Sequence, residues 1–132
     1  MIYMLDTNIC GYIIRNKPEH LREKLKKADT EGDLTLSAIV VSELLYGARK
    51  KKSDKLLDTV LLFISNFTIF DFGRDAASEY AGIRSSLEFS GELIGANDLF
   101  IAAHAKSLDA LLITNNTNEF KRVKGLKIEN WV

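Results

Sequence analysis

Acidic side chains in four separate segments are the residues of this sequence best suited to chemistry. They are Asp6, Glu43, Asp98 and Glu119. Carboxylates that a fold brings together repel one another unless a cation lies between them. The chain has only two histidines and one cysteine, so oxygen ligands for Mg²⁺, or alternatively Mn²⁺, are favoured over a zinc site. Because magnesium commonly pairs with substrate phosphates, the pattern favours phosphodiester chemistry.

The elements predicted around these acids place them at one edge of a sheet. An apolar run over residues 2–5 predicts a buried strand ending at Asp6. A second strand at 34–37 leads into a helix over 38–49 with Glu43 on its inward face, and Asp98 falls in the first turn of a helix over 97–106. A further strand, at 110–114, runs into a loop that contains Asn116 and Glu119. Ligands bind outside the carboxyl ends of parallel strands, so we expect these side chains to share one cleft.

The remaining segments complete an alternation of strands and helices. Thr7 or Asn8 is expected to cap a short helix, and Pro18 to begin a second one. A helix over 54–67 has a wide apolar face, and one over 74–90 ends at Gly91. Their expected inward residues are Leu57, Val60, Leu61, Ile64 and Phe67 in the first, and Ala77, Tyr80, Ala81, the Arg84 stem and Leu87 in the second. Strands are expected at 68–72 and, at a sheet edge, 126–128. The pattern predicts a single α/β domain, 1–132, with a central mostly parallel sheet between helices in three layers.

Composition narrows the class of protein without identifying a ligand. The 132 residues are 46% hydrophobic and 27% charged, as in an ordinary globular domain. Eighteen basic and eighteen acidic side chains give no net charge, so nucleic-acid binding would need a local patch. The single cysteine, Cys10, is expected in the core. No leader peptide or transmembrane segment is visible, and a cytoplasmic location is the default expectation.

Structural explanations exist for each acid taken singly. Asp6 and Asp98 suit helix N-termini, Glu43 suits an exposed helix face, and Glu119 suits a first helical turn. On that interpretation the chain is a catalytically idle interaction or regulatory module. A metal-dependent phosphatase is a further alternative, although the haloacid-dehalogenase type needs a second acid where Asn8 stands.

Four motifs in order resemble one family. They are Leu5-Asp6-Thr7-Asn8, Ser42-Glu43-Leu44-Leu45-Tyr46-Gly47-Ala48, Ile94-Gly95-Ala96-Asn97-Asp98, and Ile113-Thr114-Asn115-Asn116-Thr117-Asn118-Glu119-Phe120. In sequence, order and spacing they are similar to the PIN-domain ribonucleases, and more narrowly to the VapC toxins of bacterial VapBC toxin–antitoxin pairs. The resemblance covers essentially the whole chain and extends to its Glu129-Asn130-Trp131 tail.

This resemblance implies a magnesium-dependent endoribonuclease whose metal-binding acids are Asp6, Glu43 and Asp98. Many family members have a further aspartate where this chain has Asn116, and Glu119 is our candidate to supply that charge. Supporting hydrogen bonds are expected from Thr7, Thr114 and Asn116. The implied reaction is hydrolysis by a metal-activated water that leaves a 5′-phosphate and a 3′-hydroxyl. His104 is expected to be a packed or exposed helix residue rather than a general base.

The resemblance also implies partners. It suggests structured RNA as the substrate, with tRNA and the anticodon loop of initiator tRNA as the candidate. It further suggests a VapB-type antitoxin and a toxin homodimer that assembles with it into a larger complex. Basic residues expected to line an RNA-binding rim are Arg49, Lys50, Lys51 and Arg84.

Overall fold

The computed structural model describes all residues, 1–132, and forms a five-stranded parallel sheet with seven helices. The strands are β1 (Ile2–Leu5), β2 (Asp33–Ser37), β3 (Thr68–Phe70), β4 (Leu111–Ile113) and β5 (Lys127–Glu129). The helices are α1 (Thr7–Arg15), α2 (His20–Glu31), α3 (Ala38–Lys50), α4 (Asp54–Ile64), α5 (Arg74–Ser90), α6 (Ala96–Ser107) and α7 (Thr117–Phe120). None of these helices has the length and apolar character needed to span a membrane.

Strand order in the sheet is β3-β2-β1-β4-β5, and every neighbouring pair is parallel. The chain therefore winds outward from β1 to one edge and then returns to add β4 on the other side of β1. Consecutive residues of β1 and β2 are buried. Alternate side chains point to opposite faces, so both faces of the central sheet are covered. The predicted parallel sheet flanked by helices is confirmed.

The order of the strands determines where a ligand would bind. The direction of winding reverses between β1 and β4, and such a switch point leaves a crevice at the carboxyl ends of the two strands. Met4 pairs with Leu112 and Leu5 with Ile113, so the two strands end side by side. Asp6 follows the first strand and Thr114 follows the second, which brings these two residues together.

The predicted helix boundaries agree with the structure better than the predicted buried faces do. In α5 the buried residues are Ala76, Ile83 and Leu87, whereas Ala77, Ala81 and Arg84 are exposed. The predicted face was wrong by about one residue, because small residues on both sides of the helix made its apolar stripe ambiguous. In α4, Leu61 is 49% exposed although it was predicted to point inward.

Two capping details also differ from expectation. The N-cap of α1 is Asp6, whose carboxylate accepts the backbone N–H of Ile9, so neither Thr7 nor Asn8 has that role. The helix expected to begin at Pro18 begins at His20. Ser37 caps α3, and Gly91 ends α5 in the left-handed conformation as predicted.

Candidate active site

Asp6 lies at the centre of the switch point and is only 4% exposed. One carboxylate oxygen accepts the Ile9 N–H at 2.9 Å, and the other accepts the hydroxyl of Thr114. Burial raises the pKa of the Asp6 carboxyl, whereas the bonds from Thr114 and Ile9 act to lower it and the charge of Glu43 acts to raise it. The residue is therefore fixed in position on both oxygens.

Glu43 reaches the same region from the second turn of α3. Its Oε1 accepts the hydroxyl of Thr7 at 2.7 Å, and its Oε2 accepts the side-chain amide of Asn97 at 3.2 Å. Thr7 follows Asp6 directly in the chain, so this bond ties α3 to the end of β1. The sequence did not lead us to predict a role for Asn97. Its position next to Asp98, in the first turn of α6, could have indicated one.

Asp98 and Glu119 hydrogen-bond to each other through their carboxyl groups. Burial, the bond to Glu119 and that residue's charge raise the pKa of Asp98 to about 7, and the charges of Asp6 and Glu43 add to the effect. The same bond from Asp98 lowers the pKa of Glu119. Burial and the neighbouring acids therefore make ionisation of Asp98 less favourable when no cation lies between the carboxyl groups.

Asn116 links this pair to the end of β4. Its side-chain amide donates to Glu119 Oε2 at 3.0 Å and more weakly to Asp98 Oδ2 at 3.4 Å. Its backbone N–H donates to the Thr114 hydroxyl at 2.9 Å. The asparagine thus places a donor where an aspartate would add a fifth negative group to an already crowded cluster.

The donor set fits a hard divalent cation. The groups that meet here are carboxylate oxygens supported by hydroxyl and amide donors, and burial together with the neighbouring acids raises the pKa of Asp98. In the present side-chain arrangement no three acidic groups converge on one ion-sized point. Binding of an ion by three of these acids would therefore require their side chains to rearrange.

The predicted RNA-binding residues are dispersed. Arg49 and Lys50 are exposed in the last turn of α3. Lys51 lines a groove that also contains Glu43, so it is the member of this set that faces the acidic cluster. Arg84 lies on α5, where its guanidinium pairs with Glu88 at 2.8 Å and bonds to the Tyr80 hydroxyl.

Two other reactive side chains lie outside the cluster. His104 is buried on α6, with its Nδ1 atom 2.7 Å from the Ser37 hydroxyl oxygen. Cys10 is fully buried, and burial raises the pKa of its thiol well above the usual value. The burial of Cys10 confirms the predicted core position, and His104, for which a packed or an exposed position was expected, is packed.

Comparison with known proteins matches the geometry to a family. Residues 3–126 match the PIN domain. Ribonuclease VapC2 of Rickettsia felis is 42% identical over 132 residues, covering 99% of this chain and 98% of that protein. The chain belongs to the VapC family of PIN-domain ribonucleases. The resemblance noted in the sequence is therefore confirmed.

Two further relatives extend this VapC assignment. A tRNA(fMet)-specific endonuclease VapC from Shigella flexneri is 38% identical over 130 residues, covering 98% of this chain and 97% of that protein. Among solved structures, that of VapBC2 from Rickettsia felis bound to a DNA fragment from its promoter matches with a TM-score of 0.95 and 41% identity, and each chain is covered completely. The fold of this VapC family member is thus that of a toxin known in complex with its antitoxin.

Proposed function

We propose that this chain, as a single PIN domain spanning 1–132, is a metal-dependent endoribonuclease that acts as the toxin of a toxin–antitoxin pair. The observation that supports the proposal best is that four acids from four separate segments lie in one hydrogen-bonded cluster at the switch point. Acids that served only as helix caps would not be expected to lie together at this edge of the sheet. PIN-domain ribonucleases generally depend on a divalent metal.

The proposed roles follow from the hydrogen bonds. Asp6, Glu43 and Asp98 would hold Mg²⁺, or Mn²⁺ as the alternative, and Glu119 would add charge beside them. When bound, the ion supplies Lewis-acid polarisation of a phosphodiester oxygen and makes a water more acidic. Thr114 orients Asp6, and Thr7 orients Glu43, so that neither carboxylate rotates away. Asn116 donates to Glu119 and Asp98 and would keep these two side chains beside the ion.

The proposed substrate is structured RNA, with the anticodon loop of initiator tRNA as the leading candidate. The support is the tRNA(fMet)-specific relative of Shigella flexneri, which is similar over nearly the whole chain. A looped strand can bring a splayed nucleotide to a recessed cluster more readily than a duplex can. Hydrolysis there would leave a 5′-phosphate and a 3′-hydroxyl and would stop translation.

A VapB-type antitoxin is the proposed partner, and a groove between α1, α3 and α4 is its proposed site. The groove has a volume of about 380 Å³ and continues to Thr7 and Glu43 of the cluster. Its apolar wall consists of side chains suited to an inserted antitoxin segment: Tyr12, Ile14, Leu44, Leu56 and Val60. Occupation of this groove would cover the approach to Glu43. Support comes from the VapBC complexes of relatives with the same fold.

The test uses purified protein, total RNA and initiator tRNA with mapping of new 5′ ends. We expect specific cleavage with Mg²⁺ and none in chelator. Asp6→Asn and Asp98→Asn should each lower the rate at least about 100-fold, because each removes a charged ligand of the ion. The matched control is Asp58→Asn on the exposed side of α4, which should cleave like wild type.

Titration calorimetry with Mg²⁺ separates this proposal from an idle interaction module. Wild type should bind the ion and Asp98→Asn should bind it more weakly. Cleavage that persists in chelator, or both asparagine variants retaining full activity, would overturn the metallonuclease proposal.

A further inference from the structure

A cavity of about 280 Å³ lies between α5, the end of α6 and the segment that follows α7. Three basic side chains line it: Lys106, Arg122 and Lys124. The acidic residue in its wall is Glu79, whose carboxylate lies 3.5 Å from the ammonium group of Lys106. Neither Arg122 nor Lys124 forms an ion pair. The cavity therefore has an excess of positive charge in a protein with no net charge.

A tight turn holds the basic side chains together. Gly125 has a φ of +79°, a conformation that glycine adopts without strain, and it directly follows Lys124. The Cε atom of Lys106 lies close enough to Gly125 that an added Cβ would be 3.4 Å from it. The Lys106 stem thus packs on the turn that carries Lys124, and both ammonium groups face the same cavity.

Phe89 lies on α5 shortly beyond the residues that line this cavity. The helix contributes Gly82 and Ser86 to the cavity wall, and Phe89 follows Ser86 by three residues, on the same side of the helix. Its ring is 97% exposed, which is the greatest exposure among the large hydrophobic side chains of the chain. Leu93, four residues further on, is 44% exposed. A free aromatic ring therefore lies on the helix that forms one wall of the cavity, about one turn beyond that wall.

Arg122 connects this region to the acidic cluster. Its guanidinium donates to the backbone carbonyls of Glu92 and Leu93 at 3.4 and 3.3 Å, in the loop that leads to Asp98. Its positive charge also contributes to lowering the pKa of Glu119. Arg122 consequently links the basic cavity to the loop that precedes Asp98 and to the surroundings of Glu119.

We propose that Phe89, Lys106, Arg122 and Lys124, here called the α5–α7 surface, bind the RNA strand next to the phosphodiester that is cleaved. The basic groups contact backbone phosphate, and an unstacked base packs on the ring of Phe89. Basic grooves beside exposed aromatic rings are the usual platform for single-stranded nucleic acid, because every base has a face that can stack. This proposal rests on the proposed ribonuclease function and specifies how the substrate is held.

Fluorescence of a Phe89→Trp variant tests the stacking directly. The only native tryptophan, Trp131, is 4% exposed, so it gives a nearly constant background. A single-stranded oligonucleotide with the anticodon-loop sequence of initiator tRNA, titrated in the Asp98→Asn background, should quench the new tryptophan. Adding Lys124→Gln should weaken the binding and reduce the slope of log affinity against log salt by about one phosphate contact.

Cleavage kinetics provide the second readout. Phe89→Ala should raise KM about tenfold, as expected for the loss of one stacked base, with kcat nearly unchanged. Phe89→Trp should restore a KM close to that of wild type. Matched controls are Val132→Ala, which removes another exposed apolar side chain, and Lys24→Gln, which removes an exposed charge on α2. Both should leave KM unchanged.

The outcomes separate this proposal from the proposed function. If wild type cleaves RNA but Phe89→Ala has a normal KM and Phe89→Trp is not quenched, the α5–α7 surface proposal is wrong and the nuclease stands. If wild type does not cleave but the tryptophan is quenched in a Lys124-dependent manner, the surface binds RNA and the nuclease proposal fails. If Phe89→Ala instead lowers the oligomeric state with KM unchanged, the surface joins protein copies and the proposal is overturned.

Discussion

Asp6 combines two roles that sequence reasoning treats as alternatives. Its carboxylate caps α1 through the Ile9 N–H, and its second oxygen faces the crevice and accepts the Thr114 hydroxyl. The cap fixes the side chain at the very start of the helix, where the helix dipole also favours a negative group. The helix cap therefore fixes the Asp6 carboxylate at the switch point, where the proposed metal site lies.

Thr114 gives the sharpest test at the level of single residues. Thr114→Val keeps the side-chain shape but removes the hydroxyl, leaving one oxygen of the buried Asp6 without its donor. We expect RNA cleavage to fall about 10- to 100-fold, the usual effect of losing a support for a metal ligand. The free energy of unfolding should fall by about 1–3 kcal/mol, because a buried acceptor is left unsatisfied.

The matched variant for this test is Thr114→Ser, which keeps the hydroxyl and should recover most of the activity. Cleavage is followed with initiator tRNA and stability by urea denaturation. A stable Thr114→Val protein with wild-type cleavage would mean that the hydroxyl does not orient Asp6.

At the level of elements, glycines show where packing limits the chain. Gly32 lies between α2 and β2, and a Cβ placed there would lie 2.2 Å from the backbone oxygen of Met1. The same oxygen accepts the N–H of Asp33 at the start of the β1–β2 pairing. Gly47, in contrast, lies within α3 and has open space where a Cβ would be. The two positions therefore have opposite expectations.

Gly32→Ala should lower the free energy of unfolding by about 1–3 kcal/mol, because the backbone of β1 must shift. Gly47→Ala should raise it by about 0.5–1 kcal/mol, since it removes a flexible residue from a helix interior without a clash. Urea denaturation of both variants provides the comparison. Equal effects from the two substitutions would contradict the packing argument.

His104 makes the contact between α6 and the N-terminus of α3 sensitive to pH. Burial lowers the pKa of His104 from 6.5, although the nearby Asp71 acts in the opposite direction. The neutral ring is therefore favoured in the folded protein, while the unfolded chain binds a proton more readily. This contribution to stability is fully present above pH 6.5 and is lost as the pH falls through the lowered pKa.

Denaturation at pH 7.5 and 5.5 tests this expectation. His104→Gln should lose less stability than wild type over this interval, because it has no ring to protonate. His20→Gln keeps the buried histidine and is the matched control. Identical pH dependence in His104→Gln and wild type would show that burial does not hold this ring neutral.

For the whole molecule, exposed apolar side chains on α4 and β3 support the homodimer that the family resemblance implies. Leu61, Leu62 and Ile69 are 49%, 71% and 42% exposed, and β3 is an edge strand. An exposed apolar surface beside an open sheet edge usually marks an interface. We expect light scattering to show a dimer for wild type and a monomer for Leu62→Glu. Lys24→Glu on α2 is the control, and a dimer that survives Leu62→Glu would exclude this surface.

The sequence by itself determined the kinds of element and indicated the acids of the candidate site. Short apolar runs ending at Asp6 and Thr114 specify buried parallel strands, since no other element fits their length and composition. The order of the acidic motifs was enough to predict the family, which the comparisons confirmed. Local features such as the Ser37 cap and the Gly91 stop were predictable because they depend on neighbours in the chain.

The tertiary structure decided everything that depends on residues distant in the chain. The strand order created the crevice in which Thr7 and Asn97 donate hydrogen bonds to Glu43, and in which Asp98 lies beside Glu119. The buried face of α5 and the cavity beside Phe89 likewise depend on which helix packs against which. Periodicity shows which residues share one side of a helix, but it does not show which element packs against that side. The exposure, pKa and hydrogen-bond partners of a side chain depend on that packing element.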